Sequence, residues 1–373
     1  MKILFVMFDG GGNIPPQVKV ACALRDRGID IHVLGHRGIQ HRIESEGLPF
    51  EEFAAGRSFD PTARRSLPAM MADFGKVTVD RRYGSCAVDV ARRLGCDAVV
   101  VDVVFAAAID EILKAGIPAV AFVHCFYRAV QDMEAGPVGW MQRLRGIAPL
   151  RADRSALLQI VTARANLDPM RGSPAVHHVG VVWQGTPTQA IPSPTPRILV
   201  SLSSCAYAGQ RRMLQKILDA LEPLAVQGIV TVGPGIDSVG LRVPSNASMH
   251  SWLDHDEVLA GASLVVGHGG HSTAMRALSF GVPLVVMPAN PFIDQKRVGA
   301  QLAKVGAGIL LPKHAGSKRI REAVSRVLCD PQYSEAAAGI AARIRERDGA
   351  EVAADAIEEF LRSAVAHRSD SPL

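Results

Sequence analysis

Short apolar runs alternate with stretches of helical period along this chain, and the alternation breaks off once and restarts. No other feature constrains the fold as much. KILFVMF, QVKVACALRDRG and IDIHVLG read as strand, helix and strand, with Gly28 as the helix stop. CDAVVVD, FAAAIDEILKAG and IPAVAFVH repeat the order, and Gly116 closes the second helix. Strands that are apolar along their whole length, each followed by a helix, require a parallel sheet covered on both faces.

The break is QGTPTQAIPSPTPR, residues 184–197, which holds four prolines and no helical period and reads as an extended linker. RILVSLS, RRMLQKILDALEPL and QGIVTVG then restart the pattern, followed by SLVVGHGG, PLVVMP and the helical KRIREAVSRVL. The chain is thus expected to form a first domain over 1–184, a linker over 185–196, a second domain over 197–349 and a final helix and tail over 350–373. At 373 residues there is enough chain for two ordinary cores. Ligands of such sheets lie beyond the carboxyl ends of the strands, so two domains facing each other would form a deep interdomain cleft.

Composition excludes several classes of partner. The net charge of +5 suits an anionic small molecule, but basic residues are too dispersed and aromatics too few, at 5%, for a nucleic-acid surface. No run reaches the roughly 18 apolar residues of a membrane span. The chain opens directly on a strand pattern, and its six cysteines are scattered with no C-x-x-C pair. Both point to a cytoplasmic protein without a signal peptide.

Two glycine-rich loops compete as phosphate sites. The first, FDGGGNIPPQ (Phe8–Gln17), has Pro15 where a dinucleotide loop needs its third glycine, and the second strand ends in Gly35, His36 and Arg37 without a carboxylate. A tight turn leaving the sheet is the better reading. The second, GHGGHSTAMRALSFGVP (Gly267–Pro283), follows an apolar strand. Gly269 and Gly270 permit close backbone approach, Ser272 and Thr273 are placed to cap a short helix, and Gly281 with Pro283 ends it. A helix N-terminus there would bind phosphate with free N–H groups, with His268 adding a side-chain hydrogen bond. A capped helix under a polar surface loop fits the same residues.

The stretch from His268 to Gly308, HGGHSTAMRALSFGVPLVVMPANPFIDQKRVGAQLAKVGAG, resembles the nucleotide-sugar signature of the family 1 glycosyltransferases, which include bacterial antibiotic and macrolide glycosyltransferases and the UDP-glycosyltransferases. SWLDHDEVLAGASLVVGHGG resembles the family's nucleobase segment, VHHVGVV its lead-in to the linker, and RDGAEVAADAIEEFLRS its final helix. The resemblance runs over most of the chain. It implies an α/β GT-B fold of two Rossmann-like domains, with the C-terminal helix crossing back to the N-terminal domain. It also implies inverting transfer from a UDP- or dTDP-linked sugar, with no metal or cofactor. Trp252 matches the aromatic that stacks on the base; core packing is the plain alternative. His268, Gly270, Ser272 and Thr273 match the diphosphate segment, and Ser203 and Ser204 match the first donor-domain loop. Asp294 and Gln295 match the pair that bonds hexose hydroxyls, although Asp294 could equally cap the following helix. Val298 and Asp254 depart from the family pattern, which normally has Asn and Pro there.

The resemblance puts the first loop on the acceptor side. The family's proton-accepting His falls at Asn13 when aligned on Pro16, or at Gly12 when aligned on Pro15, and neither residue can take a proton. Asp102, ending CDAVVVD, matches that histidine's usual carboxylate partner. The candidates for the base are Asp102, then His124, then Asp9, all at strand ends. An acceptor needing no base would remove the requirement. The stretches 54–71 and 138–150 are basic and apolar together, which favours a bulky hydrophobic acceptor over a peripheral membrane contact. A non-catalytic nucleotide-sugar binder and a sugar-nucleotide epimerase are the competing readings. Either a monomer or a homodimer is compatible.

Overall fold

Each half of the chain builds one parallel sheet, as the alternation requires. A computed structural model describes every residue except 57, 58, 152, 154, 291–293 and 370–373. Arg57 and Ser58 of the basic, apolar stretch and the end of the expected tail therefore lie outside the described residues. The chain divides into two units: Met1–Asp60 with Pro68–Val182 and Asp348–Leu373, and Pro61–Leu67 with Trp183–Arg347.

The strands of the first unit are β1 (Lys2–Met7), β2 (Asp30–Gly35), β3 (Phe50–Glu52), β4 (Ala98–Asp102), β5 (Ala119–Val123), β6 (Leu157–Val161) and β7 (His177–His178). They lie in the order β3-β2-β1-β4-β5-β6-β7, every pair parallel. Val6 pairs with Val101 and Asp102 with Phe122, so β1, β4 and β5 end level with one another. The second unit holds β8 (Arg197–Ser201), β9 (Gln227–Thr231), β10 (Ala247–His250), β11 (Leu264–Gly267), β12 (Leu284–Val286) and β13 (Gly308–Leu310). Their order is β10-β9-β8-β11-β12-β13, again all parallel. In each sheet the strand order reverses once, between β1 and β4 and between β8 and β11. Loops at such a point diverge to opposite faces and leave a crevice.

The helix after β1 runs Ile14–Asp26 and starts earlier than its periodicity suggests, because Pro15 and Pro16 occupy its first turn, where no N–H is needed. Several helices were not anticipated, among them Arg81–Leu94, Tyr127–Ala135 and Pro331–Ile344. The first of these has a clear start in Asp80, whose side chain accepts from Arg82 N, and a left-handed stop at Gly95.

The last helix, Gly349–Ser369, belongs to the first unit, as the resemblance implied. Ala350, Ala353, Ala354, Ile357, Phe360 and Leu361 join the core formed by Ile3, Phe5, Val18 and Leu24. Arg27 adds bonds to Glu351, Asp355 and Glu358 at 2.5, 2.7 and 2.9 Å. The apolar face dominates: burying Ile357, Phe360 and Leu361 is worth about 1.5–3 kcal/mol each, against about 1 kcal/mol or less for a solvated ion pair.

Candidate functional site

The candidates gather at the two points of strand reversal, one group in each unit. In the first unit, Asn13 follows β1 and Asp102 ends β4. Asn13 is at the N-cap of its helix but makes no side-chain capping bond. Its amide is used elsewhere: Nδ2 donates to Phe8 O and to Asp102 Oδ2, both at 2.7 Å, and Oδ1 accepts from Gly10 N at 3.1 Å. Gln17, one helical turn on, donates through Nε2 to the same Asp102 Oδ2 at 2.9 Å. Val104 N donates to Asp102 Oδ1 at 3.0 Å. His124, just past β5, brings Nδ1 to 3.3 Å from Asp102 Oδ2. Asp102 is fully buried and Asn13 is 3% exposed, while the His124 side chain keeps 22% of its surface. Asp102, first among the base candidates, thus presents no surface to a substrate. Asp9 is half-buried; burial raises its pKa, the Gly11 N–H opposes that, and Asp60 adds to it.

Sequence reasoning missed Gln17, although its position four residues after Asn13 on a helix places the two side by side. It also missed an aromatic group beside this loop: Phe8 and Phe105, with centroids 5.6 Å apart, meet His36, Phe53 and Tyr83, which come from three other segments. On the helix Pro137–Leu144, Trp140 and Leu144 are 61% and 67% exposed.

In the second unit, Ser203 follows β8 and His268 follows β11. Ser203 Oγ accepts from Cys205 N, and Gln210 ties the loop by accepting from Ser203 N and donating to Cys205 O. Ser204 is exposed. The helix after β11 is His271–Ser279, and its N-cap is Gly270, with no side-chain capping bond. Ser272 and Thr273 lie inside the first turn instead of capping it; Ser272 Oγ accepts from Gln184 Nε2 at 2.9 Å. The N–H groups of this turn therefore follow a glycine-led loop, which is the arrangement that admits an anion. At the other end Gly281, at φ +74°, donates to Leu278 O and Val282 N to Ala277 O, a closed left-handed stop.

Trp252 is 78% exposed, which removes the core-packing alternative. Near it, Asp254 caps the short helix His255–Leu259 and binds Arg276, which also reaches Asp256. The departure from Pro at this position thus has a local role. Gln295 Oε1 accepts from Ala289 N and Asn290 N, both at 2.8 Å, so this oxygen holds its own loop. Asp294 sits at the N-cap of the helix Gln295–Lys304 without a capping bond to it, and its carboxylate lies 4.0 Å from His271 Nδ1. Lys313, unforeseen, donates to Ala289 O on that same loop.

Burial pushes the His268 pKa down to about 4, offset by the Ser201 carbonyl, and burial with Arg276 does the same for His255. Both rings are neutral in the fold and take up protons near pH 6.5 once unfolded. The unfolded state therefore gains protons first. Their contribution to stability is complete above about pH 6.5 and is lost as pH falls toward 4. Urea midpoints should decline over that window, and His268→Gln should flatten the decline; an equal slope in the variant would contradict the assignment.

Among the described residues no group of three or more His, Cys, Asp or Glu is placed to hold a metal ion, and no helix is long and apolar enough to cross a membrane.

Residues 215–359 match the erythromycin biosynthesis protein CIII-like C-terminal domain. The chain is 33% identical to NDP-glycosyltransferase YjiC of Bacillus licheniformis over 171 residues, 45% of this chain and 42% of the relative. It is 28% identical to a PGL/p-HBAD biosynthesis glycosyltransferase of Mycobacterium tuberculosis over 240 residues, 61% of this chain and 54% of that one. These matches span about half the length of the relatives. The solved calicheamicin glycosyltransferase superposes with a TM-score of 0.76 at 21% identity, over 96% of this chain and 98% of the other. Spinosyn rhamnosyltransferase complexed with thymidine diphosphate gives a TM-score of 0.71 at 19% identity, over 96% and 100%. The chain therefore has the GT-B fold of these solved glycosyltransferases, and its residues 215–359 are similar to the erythromycin biosynthesis protein CIII-like C-terminal domain.

Proposed function

We propose that this protein is an inverting glycosyltransferase that moves a sugar from a UDP- or dTDP-linked donor to a hydrophobic acceptor without a metal. The observation that carries the reading is that the family match over residues 215–359 spans every donor-site candidate except Ser203 and Ser204. The second unit takes the nucleotide sugar. Its glycine-led helix His271–Ser279 binds the diphosphate, and the charge building on the leaving group is stabilised there by fixed N–H dipoles. His268, neutral and buried under the loop, supports the backbone that makes this contact. The exposed indole of Trp252 stacks on the pyrimidine. Asp294 meets the sugar hydroxyls, and Gln295 shapes the loop beside them. Thymidine diphosphate in the related spinosyn enzyme makes dTDP a natural first probe.

The first unit takes the acceptor, and the exposed Trp140 and Leu144 suit an apolar, ring-bearing molecule. Six free cysteines suit a reducing compartment, and we place the protein in the cytoplasm.

Trp252→Ala should weaken dTDP or UDP binding by about 1–3 kcal/mol, the worth of a base on an aromatic platform, with folding intact. Calorimetric titration that shows unchanged affinity for both nucleotides would place the base elsewhere. A non-catalytic nucleotide-sugar binder is the second reading, motivated by Asn13. Donor binding without any donor turnover in the same samples would select it.

A further inference from the structure

We propose that His124 takes the proton from the acceptor and that Asp102 is its positioning residue, the same carboxylate oxygen facing both His124 and Asn13. This rests on the glycosyltransferase reading above and names the group that reading leaves open.

Asp102 is the hub of a buried polar cluster. Its Oδ1 accepts from Val104 N, and its Oδ2 accepts from Asn13 Nδ2 and Gln17 Nε2. With no exposed surface and three donors already on it, this carboxylate cannot touch an acceptor. Asn13 has the same difficulty, since its amide faces Asp102 and it has no proton-accepting form. Asn13 does supply the N–H that an imidazole at that position would give to Asp102. The substitution keeps the carboxylate satisfied and removes only the base.

His124 supplies the missing group. Its Nδ1 edge lies 3.3 Å from Asp102 Oδ2, and the ring is partly open to solvent. The buried carboxylate beside Nδ1 favours the protonated ring by charge, although no hydrogen bond closes at that nitrogen, and Nε2 is the nitrogen that takes the proton. β5 ends level with β4, which places the two residues together. The segment that carries His124 is also pinned from the far side. The next helix, Tyr127–Ala135, is capped by Asp168, whose carboxylate accepts from Tyr127 N at 2.7 Å and Arg128 N at 3.3 Å and rests against His178 Nε2 at 3.0 Å. Two buried carboxylates thus flank the segment, one 3.3 Å from the ring nitrogen and one holding the start of the helix that follows.

In the step itself, the acceptor X–H bond breaks and its proton passes to His124 Nε2. The lone pair on X forms the new bond to the anomeric carbon. The bond from that carbon to the diphosphate oxygen breaks, and its electron pair leaves with the nucleoside diphosphate. Asp102, at 3.3 Å, offsets the imidazolium charge.

The test uses the full chain, dTDP-glucose and UDP-glucose as donors, and two acceptors of very different acidity: water, read as donor hydrolysis, and 4-nitrophenol. His124→Gln should lower hydrolysis by about 10²–10⁴-fold but transfer to 4-nitrophenol by about tenfold or less, because an acidic phenol arrives partly ionised. Nucleotide affinity should stay as in the parent. Added imidazole should restore hydrolysis in His124→Gly. Asp102→Asn should show the same acidity-selective loss, and His124→Gln should add little to it, since residues that act as a unit are not additive. Parent-like hydrolysis in His124→Gln would overturn the assignment and leave the glycosyltransferase reading standing. A parent protein that binds both donors and turns over neither would overturn both.

Discussion

Asp102→Asn is expected to lower the unfolding free energy by about 2–4 kcal/mol, although it changes the side-chain shape very little. Both carboxylate oxygens accept from N–H groups: Val104 on Oδ1, and Asn13 and Gln17 on Oδ2. An amide has one accepting end. Turned one way, its NH2 faces the Val104 N–H; turned the other, it faces two side-chain amides. Either orientation leaves a buried donor unsatisfied, at about 1–3 kcal/mol, and replaces charge-assisted bonds by weaker neutral ones. Urea unfolding of the variant beside its parent measures this directly. A difference under about 0.5 kcal/mol would mean that the cluster relaxes and that Asp102 is not the hub described.

Gly269→Ala is expected to cost about 2–4 kcal/mol and at least tenfold in nucleotide affinity. Gly269 has φ +80°, where an L-residue pays about 1–2 kcal/mol. A methyl group there would also lie 2.5 Å from Val286 Cγ1 and 2.8 Å from the Gln295 carbonyl oxygen, and the second of these is backbone that cannot swing aside. Overpacking of this kind adds about 1–3 kcal/mol. The loop must move, and it leads directly into the helix His271–Ser279. Thermal unfolding and calorimetric titration with dTDP, run on the same preparation, would separate the two effects. Parent-like affinity in a destabilised variant would show that the loop supports the fold and does not touch the ligand.

What the sequence disclosed follows from the range of each interaction. Strand and helix identity is written in neighbouring residues, so the alternation yielded both parallel sheets, and Gly28 and Gly281 marked two helix ends. The glycine loop at 267–270 was legible for the same reason. Ser272 and Thr273 were misplaced by a few residues, because a glycine at the N-cap leaves no side-chain signal and the hydroxyls beside it looked like the start. The pairing of Asn13 with Asp102 spans 89 residues and depends on β1 lying next to β4; no local pattern encodes it, and only the family resemblance anticipated it. The aromatic group around Phe8 has the same origin, since Phe53, Tyr83 and Phe105 meet only after the sheet has formed. Exposure is the other hidden quantity: Trp252 and Asp102 were both candidate contacts, and one is open to solvent while the other is sealed.

The helix Gly349–Ser369 closes the core of a unit whose other strands come from the first half of the chain. During synthesis that core stays open while the 165 residues of Trp183–Arg347 are made. At about 5–20 residues per second the wait is roughly ten to thirty seconds. Throughout it, Ile3, Phe5, Val18 and Leu24 lack the apolar face that covers them in the finished protein. The second unit has all its strands in one unbroken stretch, so it can reach its native form while the first still waits. The half of the molecule that is translated first is therefore the half completed last, and until then it presents a bare hydrophobic strip to chaperones and to other nascent chains.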